Sequence, residues 1–311
     1  MKRQLKVVVA IALALGLTAA ACGGDDDDEG GGDETSERSG STVNIGEQDF
    51  GESAILSQIY KQALEADGFK AETVGLGGFR PLLLAAFESG DVNFAPDYLA
   101  ANLEELNGGA GEATGDADET LAKLEPRLEE LGLVAFTPSD AVDTNAFVVT
   151  KETADDLGLE TISDLAEKGE GLTLGAPQDC EENAFCLPGL KEAYGLDLSA
   201  GFTPLDTGVI PTSLEEGAID VALLFSTDGR IADEDWVLLE DDKQMLAADN
   251  VLPIASQELA DEYGEDLSAL VDKVSAELTT DDLIEMNKRY DVDKEDAEDI
   301  AADWLADHNL D

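Results

Sequence analysis

Ala86-Phe87-Glu88-Ser89-Gly90-Asp91-Val92-Asn93-Phe94-Ala95 closes a helical pattern, stops at a glycine and enters an apolar run. Leu214-Glu215-Glu216-Gly217-Ala218-Ile219-Asp220-Val221-Ala222 repeats that order later in the chain. In both, an aromatic follows the glycine by eight residues: Tyr98 after Gly90, and Phe225 after Gly217. Each aromatic stands near an acid, in Asp97-Tyr98 and in Phe225-Ser226-Thr227-Asp228. Helix, glycine stop and buried strand are the units of a doubly wound α/β sheet. Ligands of open α/β sheets sit outside the carboxyl ends of the strands. The two endings therefore mark two candidate walls of one site.

The same alternation runs outward from these stretches. Thr42–Gly46 reads as a first strand. Glu52–Ala66 carries Ile55, Leu56, Ile59, Tyr60, Ala63 and Leu64 on one helical face, with Gly68 just beyond as a stop. Ala71–Val74 is a second strand, Pro81–Ser89 a helix with proline in its first turn, and Val92–Ala95 a third strand. Further strands are expected at Ala146–Val149, Leu172–Gly175, Ile219–Phe225, Trp236–Glu240 and Val251–Ala255. The pattern predicts an α/β fold with one or two mostly parallel, doubly wound sheets. Trp236 and Trp304 sit in apolar patterns and are expected in the core.

Composition removes whole classes of function. The 311 residues carry a formal charge of −53, most of it on residues 41–311, and such a surface repels phosphate backbones. Nucleic acid is excluded as a partner. The one histidine, His308, lies at the C-terminus, so a Ser-His-Asp, Cys-His or His-ligated zinc site in the body of the chain is impossible. A secreted hydrolase using Asp97 and Asp228 as a carboxylate pair stays open as an alternative. Gly75–Gly78 lacks the spacing and the lysine of a nucleotide loop. Asp291–Asp296 lacks the glycine of a calcium loop at its sixth position. No cofactor or metal is implied.

The N-terminus reads as an export signal. Lys2, Arg3 and Lys6 accompany an apolar run from Leu5 to Ala21, which is too short for a transmembrane span. Leu17-Thr18-Ala19-Ala20-Ala21-Cys22 resembles a bacterial lipoprotein signal, with Ala19 where a larger aliphatic is usual. Residues 1–21 are thus expected to be removed and Cys22 lipidated, anchoring the protein to the outer face of the cell membrane. Residues 22–40, rich in glycine and acids, form a self-repelling tether. In an oxidising compartment Cys180 and Cys186 are expected to pair and stiffen a loop.

A cleft with Tyr98 and Phe225 on facing walls suits a quaternary ammonium. Such a cation donates no strong hydrogen bond, so ring faces and diffuse negative charge recognise it best. The field of the whole protein steers cations inward. Phe50, Phe79, Phe147 and Phe185 are further wall candidates, Phe79 being favoured by its place in the loop Gly75-Leu76-Gly77-Gly78-Phe79. Asp97 has a second reading as the N-cap of a helix Leu99–Leu106.

Several segments in order resemble one family: Asn44-Ile45-Gly46-Glu47-Gln48-Asp49-Phe50 with Glu52; Leu76-Gly77-Gly78; Pro96-Asp97-Tyr98; Asp143-Thr144-Asn145-Ala146; Leu187-Pro188-Gly189-Leu190; Asp206-Thr207-Gly208; Ser226-Thr227-Asp228-Gly229-Arg230; Ala248-Asp249-Asn250; and Met286-Asn287. Together they resemble the glycine betaine, choline and proline-betaine substrate-binding proteins of osmoprotectant ABC importers. The resemblance implies a type II periplasmic-binding-protein fold, in which two α/β lobes close on a ligand and present it to a permease without covalent chemistry. It makes Tyr98 one wall of an aromatic cage and puts Phe225 where a tyrosine is common. It places Gln48, Phe79, Thr144 and Asn145 near the ligand and Pro211 near another wall position. A ligand carboxylate needs donors, for which Gln48, Thr144, Asn145, Thr227, Arg80 and Arg230 are the candidates, and Asp97 and Asp228 are the acids standing by the two rings. The crossings are expected near Pro96–Tyr98 and Leu223–Ser226. That makes residues 41–97 with 226–311 one lobe and 98–225 the other, in a monomer. The rival within the fold is another small zwitterion, such as an amino acid.

Overall fold

The computed structural model describes residues 38–311; the signal, Cys22 and the tether up to residue 37 lie outside them. Among the described residues ten strands form two five-stranded sheets. They are β1 (Val43–Glu47), β2 (Ala71–Gly75), β3 (Phe94–Tyr98), β4 (Leu133–Ala135), β5 (Asn145–Val149), β6 (Leu174–Ala176), β7 (Phe202–Pro204), β8 (Val221–Phe225), β9 (Val237–Leu238) and β10 (Val251–Ser256). The first sheet runs β2-β1-β3-β10-β4 and the second β7-β6-β8-β5-β9. In each, the strand arriving from the other sheet pairs antiparallel with the central strand: β10 with β3, and β5 with β8. β1 pairs parallel with β2 and β3, and β6 with β7 and β8, while the edge pairs β10–β4 and β5–β9 are antiparallel.

The internal echo has its cause here. β3 and β8 hold the same central place in their sheets, each between a parallel and an antiparallel neighbour. They are not the crossing strands, which corrects the expected lobe boundaries. Residues 98–135 stay with the first sheet, because Leu99, Leu103, Leu124, Leu128 and Leu133 pack with Leu83, Leu252 and Ile254. Residues 226–238 stay with the second, because Ile231 and Trp236 pack with Ala146, Val148 and Leu224. The chain crosses between β4 and β5 and returns between β9 and β10. The two crossings touch through an antiparallel bridge from Val142 to Asn250, and Val251 N donates to Ala141 O at 2.9 Å.

Local chemistry sets the elements that hold the site. Helix α1 (Gly51–Ala66) buries Ile55, Leu56, Ile59, Tyr60 and Ala63 on one stripe, and the left-handed Gly68 (φ 87°) turns the chain away. Helix α2 (Arg80–Ser89) carries Pro81 in its first turn and ends at left-handed Gly90. Helix α3 (Leu99–Asn107) follows β3 directly, and its N-cap is Tyr98 rather than Asp97. The C-terminal helices Thr280–Asp291 and Ala297–His308 pack on α1. Trp236 and Trp304 are buried. The tether ends earlier than expected: Arg38 donates to Asp67 Oδ2 at 2.6 Å and to Asp266 Oδ2 at 2.7 Å, which docks residues 38–40 on the folded body. Among the described residues no helix is long and apolar enough to cross a membrane.

Candidate functional site

The C-terminal ends of β1, β2, β3 and β8 converge on a cleft of about 790 Å³. Gln48 and Phe50 come from the turn after β1, Phe79 from the turn after β2, Tyr98 from the end of β3, and Phe225 and Thr227 from the end of β8. The first two turns are tied together, since Asp49 N donates to Gly78 O at 3.0 Å and Leu76 N to Glu47 O at 2.9 Å. Gly77 at φ 62° allows the second turn its tight path. Phe50 is thereby stacked near Phe79 at 6.4 Å between ring centroids and lies 6.2 Å from Tyr98. Phe225 supplies a fourth ring from the second sheet. Phe79 and Phe225 are 62% and 58% exposed, far more than core phenylalanines, so both present ring surface to the cleft.

The turn after β8 divides the neighbours of Phe225 between the cleft and the crossing. Phe225, Thr227 and Asp228 line the cleft, while Ser226 turns back and accepts from Thr144 N at 2.9 Å. Across from it on the crossing, Asp143 lines the cleft and Thr144 does not. Thr144 and Asn145 line a separate hollow of about 200 Å³ rather than the cleft, which corrects their expected position. Phe147 is fully buried in the second sheet's core, Phe185 packs against two core clusters, and Pro211 is buried in the helix Ile210–Glu215, so none of them lines the cleft.

Asp97 is corrected as well. Its carboxylate is fully buried, receives Arg80 Nε at 3.0 Å and Nη2 at 2.8 Å, and accepts from Asn102 Nδ2 at 2.7 Å. Gln48 Nε2 makes a longer contact with it, 3.4 Å. Asp97 thus lies beneath the cleft and fixes Arg80, which does line it. Burial pulls the Arg80 guanidinium down, and the Asp97 charge more than offsets this, holding it above its usual range. Arg230 is fixed in the same way by Asp228, at 2.8 Å and 2.5 Å. Buried and bound to Arg80 and Asn102, Asp97 is not a free carboxyl at the cleft of the kind the hydrolase reading requires.

A polar network that sequence reasoning missed lies behind the rings. Tyr98 Oη donates to Glu52 Oε1 at 2.5 Å, and Asn287 Nδ2 donates to Glu52 Oε2 at 2.5 Å. Asn287 Nδ2 also donates to Thr227 O at 2.9 Å, and Thr227 Oγ1 to Asp143 Oδ1 at 3.0 Å. The network joins α1, β3, the helix Thr280–Asp291, the end of β8 and one crossing. Burial pushes the carboxyls of Glu52 and Asp143 up, with Glu52 adding to the rise of Asp143, and it pushes Tyr98 well above the usual phenol range. Asp249, on the other crossing, accepts from Ala101 N at 2.9 Å, and burial raises it to about 7. Glu52, Asp143, Asp249 and Asn287 all fall within segments of the family resemblance, but no single-residue pattern marked them as site residues.

The second sheet's cleft edge is fitted closely to the first lobe. A Cβ on Gly229 would lie 2.3 Å from Lys288 N, so only glycine permits this approach of the loop to the helix Thr280–Asp291. Cys180 and Cys186 are joined by a disulfide, with Cα atoms 5.2 Å apart, away from the cleft lining.

A cleft walled by four rings and edged by carboxylates, between two mixed α/β lobes, can hold a small cation without covalent chemistry. The comparisons agree. Residues 41–307 match the family described as the substrate binding domain of ABC-type glycine betaine transport system. The chain is 28% identical to a glycine-betaine-binding protein of Pseudomonas aeruginosa, over 86% of this chain and 88% of that one. It is 29% identical to the carnitine transport binding protein OpuCC of Listeria monocytogenes, over 87% and 88%. A crystal structure titled as a glycine betaine/carnitine/choline ABC transporter superposes with a TM-score of 0.78 at 27% identity, covering 86% of this chain and 99% of that one. The two lobes are those of a type II periplasmic-binding protein. The chain belongs to the substrate-binding domains of ABC-type glycine betaine transport systems, a family of transport proteins rather than enzymes.

Proposed function

We propose that this substrate-binding protein captures a quaternary-ammonium solute such as glycine betaine or choline in its aromatic cleft and delivers it to the permease of an ABC importer. One observation carries the reading: Phe50, Phe79, Tyr98 and Phe225 line a single acid-rich cleft at strand ends from both sheets. Each ring face contributes roughly 0.5–2 kcal/mol toward a trimethylammonium group, more as the lobes close and exclude water. Arg80 and Arg230, each fixed by one carboxylate, offer directed N–H donors at the same cleft. Two relatives named for betaine and carnitine binding favour a quaternary amine over an amino acid.

The chain acts as a monomer, tethered outside the cell membrane through a lipidated Cys22, with residues 1–21 removed. A Cys22→Ser chain that still incorporated labelled fatty acid would refute the anchor. The ligand reading is tested by a thermal-shift panel of glycine betaine, proline betaine, choline, carnitine and common amino acids on the full chain. Quaternary amines should raise Tm and amino acids should not; the reverse pattern refutes it.

A further inference from the structure

We infer that the cleft selects by net charge, binding a quaternary monocation that carries no carboxylate more tightly than a zwitterion with the same headgroup. This inference rests on the quaternary-ammonium reading above and narrows it.

Both guanidiniums at the cleft are already balanced. Arg80 is held by Asp97 and Arg230 by Asp228, with two guanidinium nitrogens committed in each pair. Glu52, Asp143 and Asp249 also line the cleft, and among the described residues none of them forms a salt bridge. With both guanidiniums paired, the groups left to face a ligand are carboxyls, which a cation favours in their charged form and an anion does not. The nearest of these acids touches the cage itself, since Glu52 Oε1 lies 2.5 Å from the hydroxyl of Tyr98. Asn287 adds to the same field: its amide nitrogen is committed to Glu52 and Thr227 O, and its buried Oδ1 has no partner among the described residues.

Burial makes ionised Glu52 and Asp143 costly, which is why both carboxyls sit above their usual range. A monocation placed against the rings offsets that cost. A zwitterion brings a carboxylate a few ångströms from its ammonium, and that carboxylate meets the same acids and restores the cost. At separations of several ångströms in a partly wet cleft, such an added repulsion amounts to about tenfold in affinity or more. Choline and glycine betaine share a headgroup and differ in this respect, so they serve as probes.

The experiment is calorimetric titration of the full chain with choline and with glycine betaine, in one buffer and salt. The expected result is choline binding at least about tenfold tighter. Asp143→Asn with Asp249→Asn should shrink that ratio several-fold, and the wild-type ratio alone decides the matter where the double variant does not fold. Equal binding, or tighter binding of betaine, overturns the inference while leaving the quaternary-ammonium reading intact. No heat with either overturns both.

Discussion

Phe225→Ala isolates one ring of the proposed cage. The side chain is 58% exposed at the end of β8 and lines the cleft, so removing it opens no core cavity and should leave the fold intact. Its loss is a loss of ligand contact. A cation over one ring is worth about 0.5 kcal/mol when exposed and about 2 kcal/mol when desolvated, and cleft closure moves Phe225 toward the second value. The expected loss is therefore about 1–2 kcal/mol, or roughly 5- to 30-fold in Kd. Phe225→Leu separates the two parts of the effect, since it keeps apolar area and removes the ring quadrupole. It should lose nearly as much affinity for choline or betaine as alanine does. Calorimetry on the two variants and the parent, with Tm measured in parallel, reads this directly. Unchanged affinity in Phe225→Ala at unchanged Tm would refute the cage as drawn.

Three further outcomes follow from the geometry. Asp97→Ala strands the Arg80 guanidinium next to a fully buried gap and should lower unfolding free energy by about 3 kcal/mol, measured by urea titration; a loss below about 1 kcal/mol contradicts the buried pair. Gly229→Val drives a side chain into the backbone of Lys288, so it should weaken ligand binding more than it lowers Tm; parent-like affinity would show that this contact is not needed for closure. Asp249 has a folded pKa of about 7 against an ordinary 3.8, so its contribution to stability is full below about pH 3.8 and is lost as pH rises through 7. Asp249→Asn should therefore gain stability relative to the parent at pH 8 and not at pH 4, and an equal difference at both pH values would contradict the burial of an ionisable group there.

The glycine-stopped stretches around Gly90 and Gly217 made the sheet architecture legible, because a helix end and a buried run are local signals. Those stretches were also misread as lobe crossings. Repetition of sequence reveals equivalent positions, and here the equivalence is between central strands of two sheets. Which strand crosses is set by long-range pairing, β10 with β3 and β5 with β8, which leaves no local mark. β4 and β7 had no counterpart among the expected strands, although β6 and β9, no longer than these, did.

The aromatic walls Tyr98, Phe79 and Phe225 were visible as aromatics at loop and strand ends. Thr144 and Asn145 were misplaced because their side of the crossing is set by long-range pairing with the end of β8, such as Ser226 N to Thr144 O, which no local pattern shows. Asp97 was expected at the ligand because it stands beside Tyr98 at a strand end, and its pairing with Arg80, 17 residues earlier, shows only in the fold. Glu52 and Asn287, separated by 235 residues, meet only in the folded chain.

The most direct test of the central claim is a crystal structure of the chain with choline or glycine betaine bound. The ammonium nitrogen is expected within about 6 Å of the ring centroids of Phe50, Phe79, Tyr98 and Phe225 at once, with the lobes closed over it. An ammonium seated against a carboxylate away from those rings, or a ligand outside the cleft, would contradict the account.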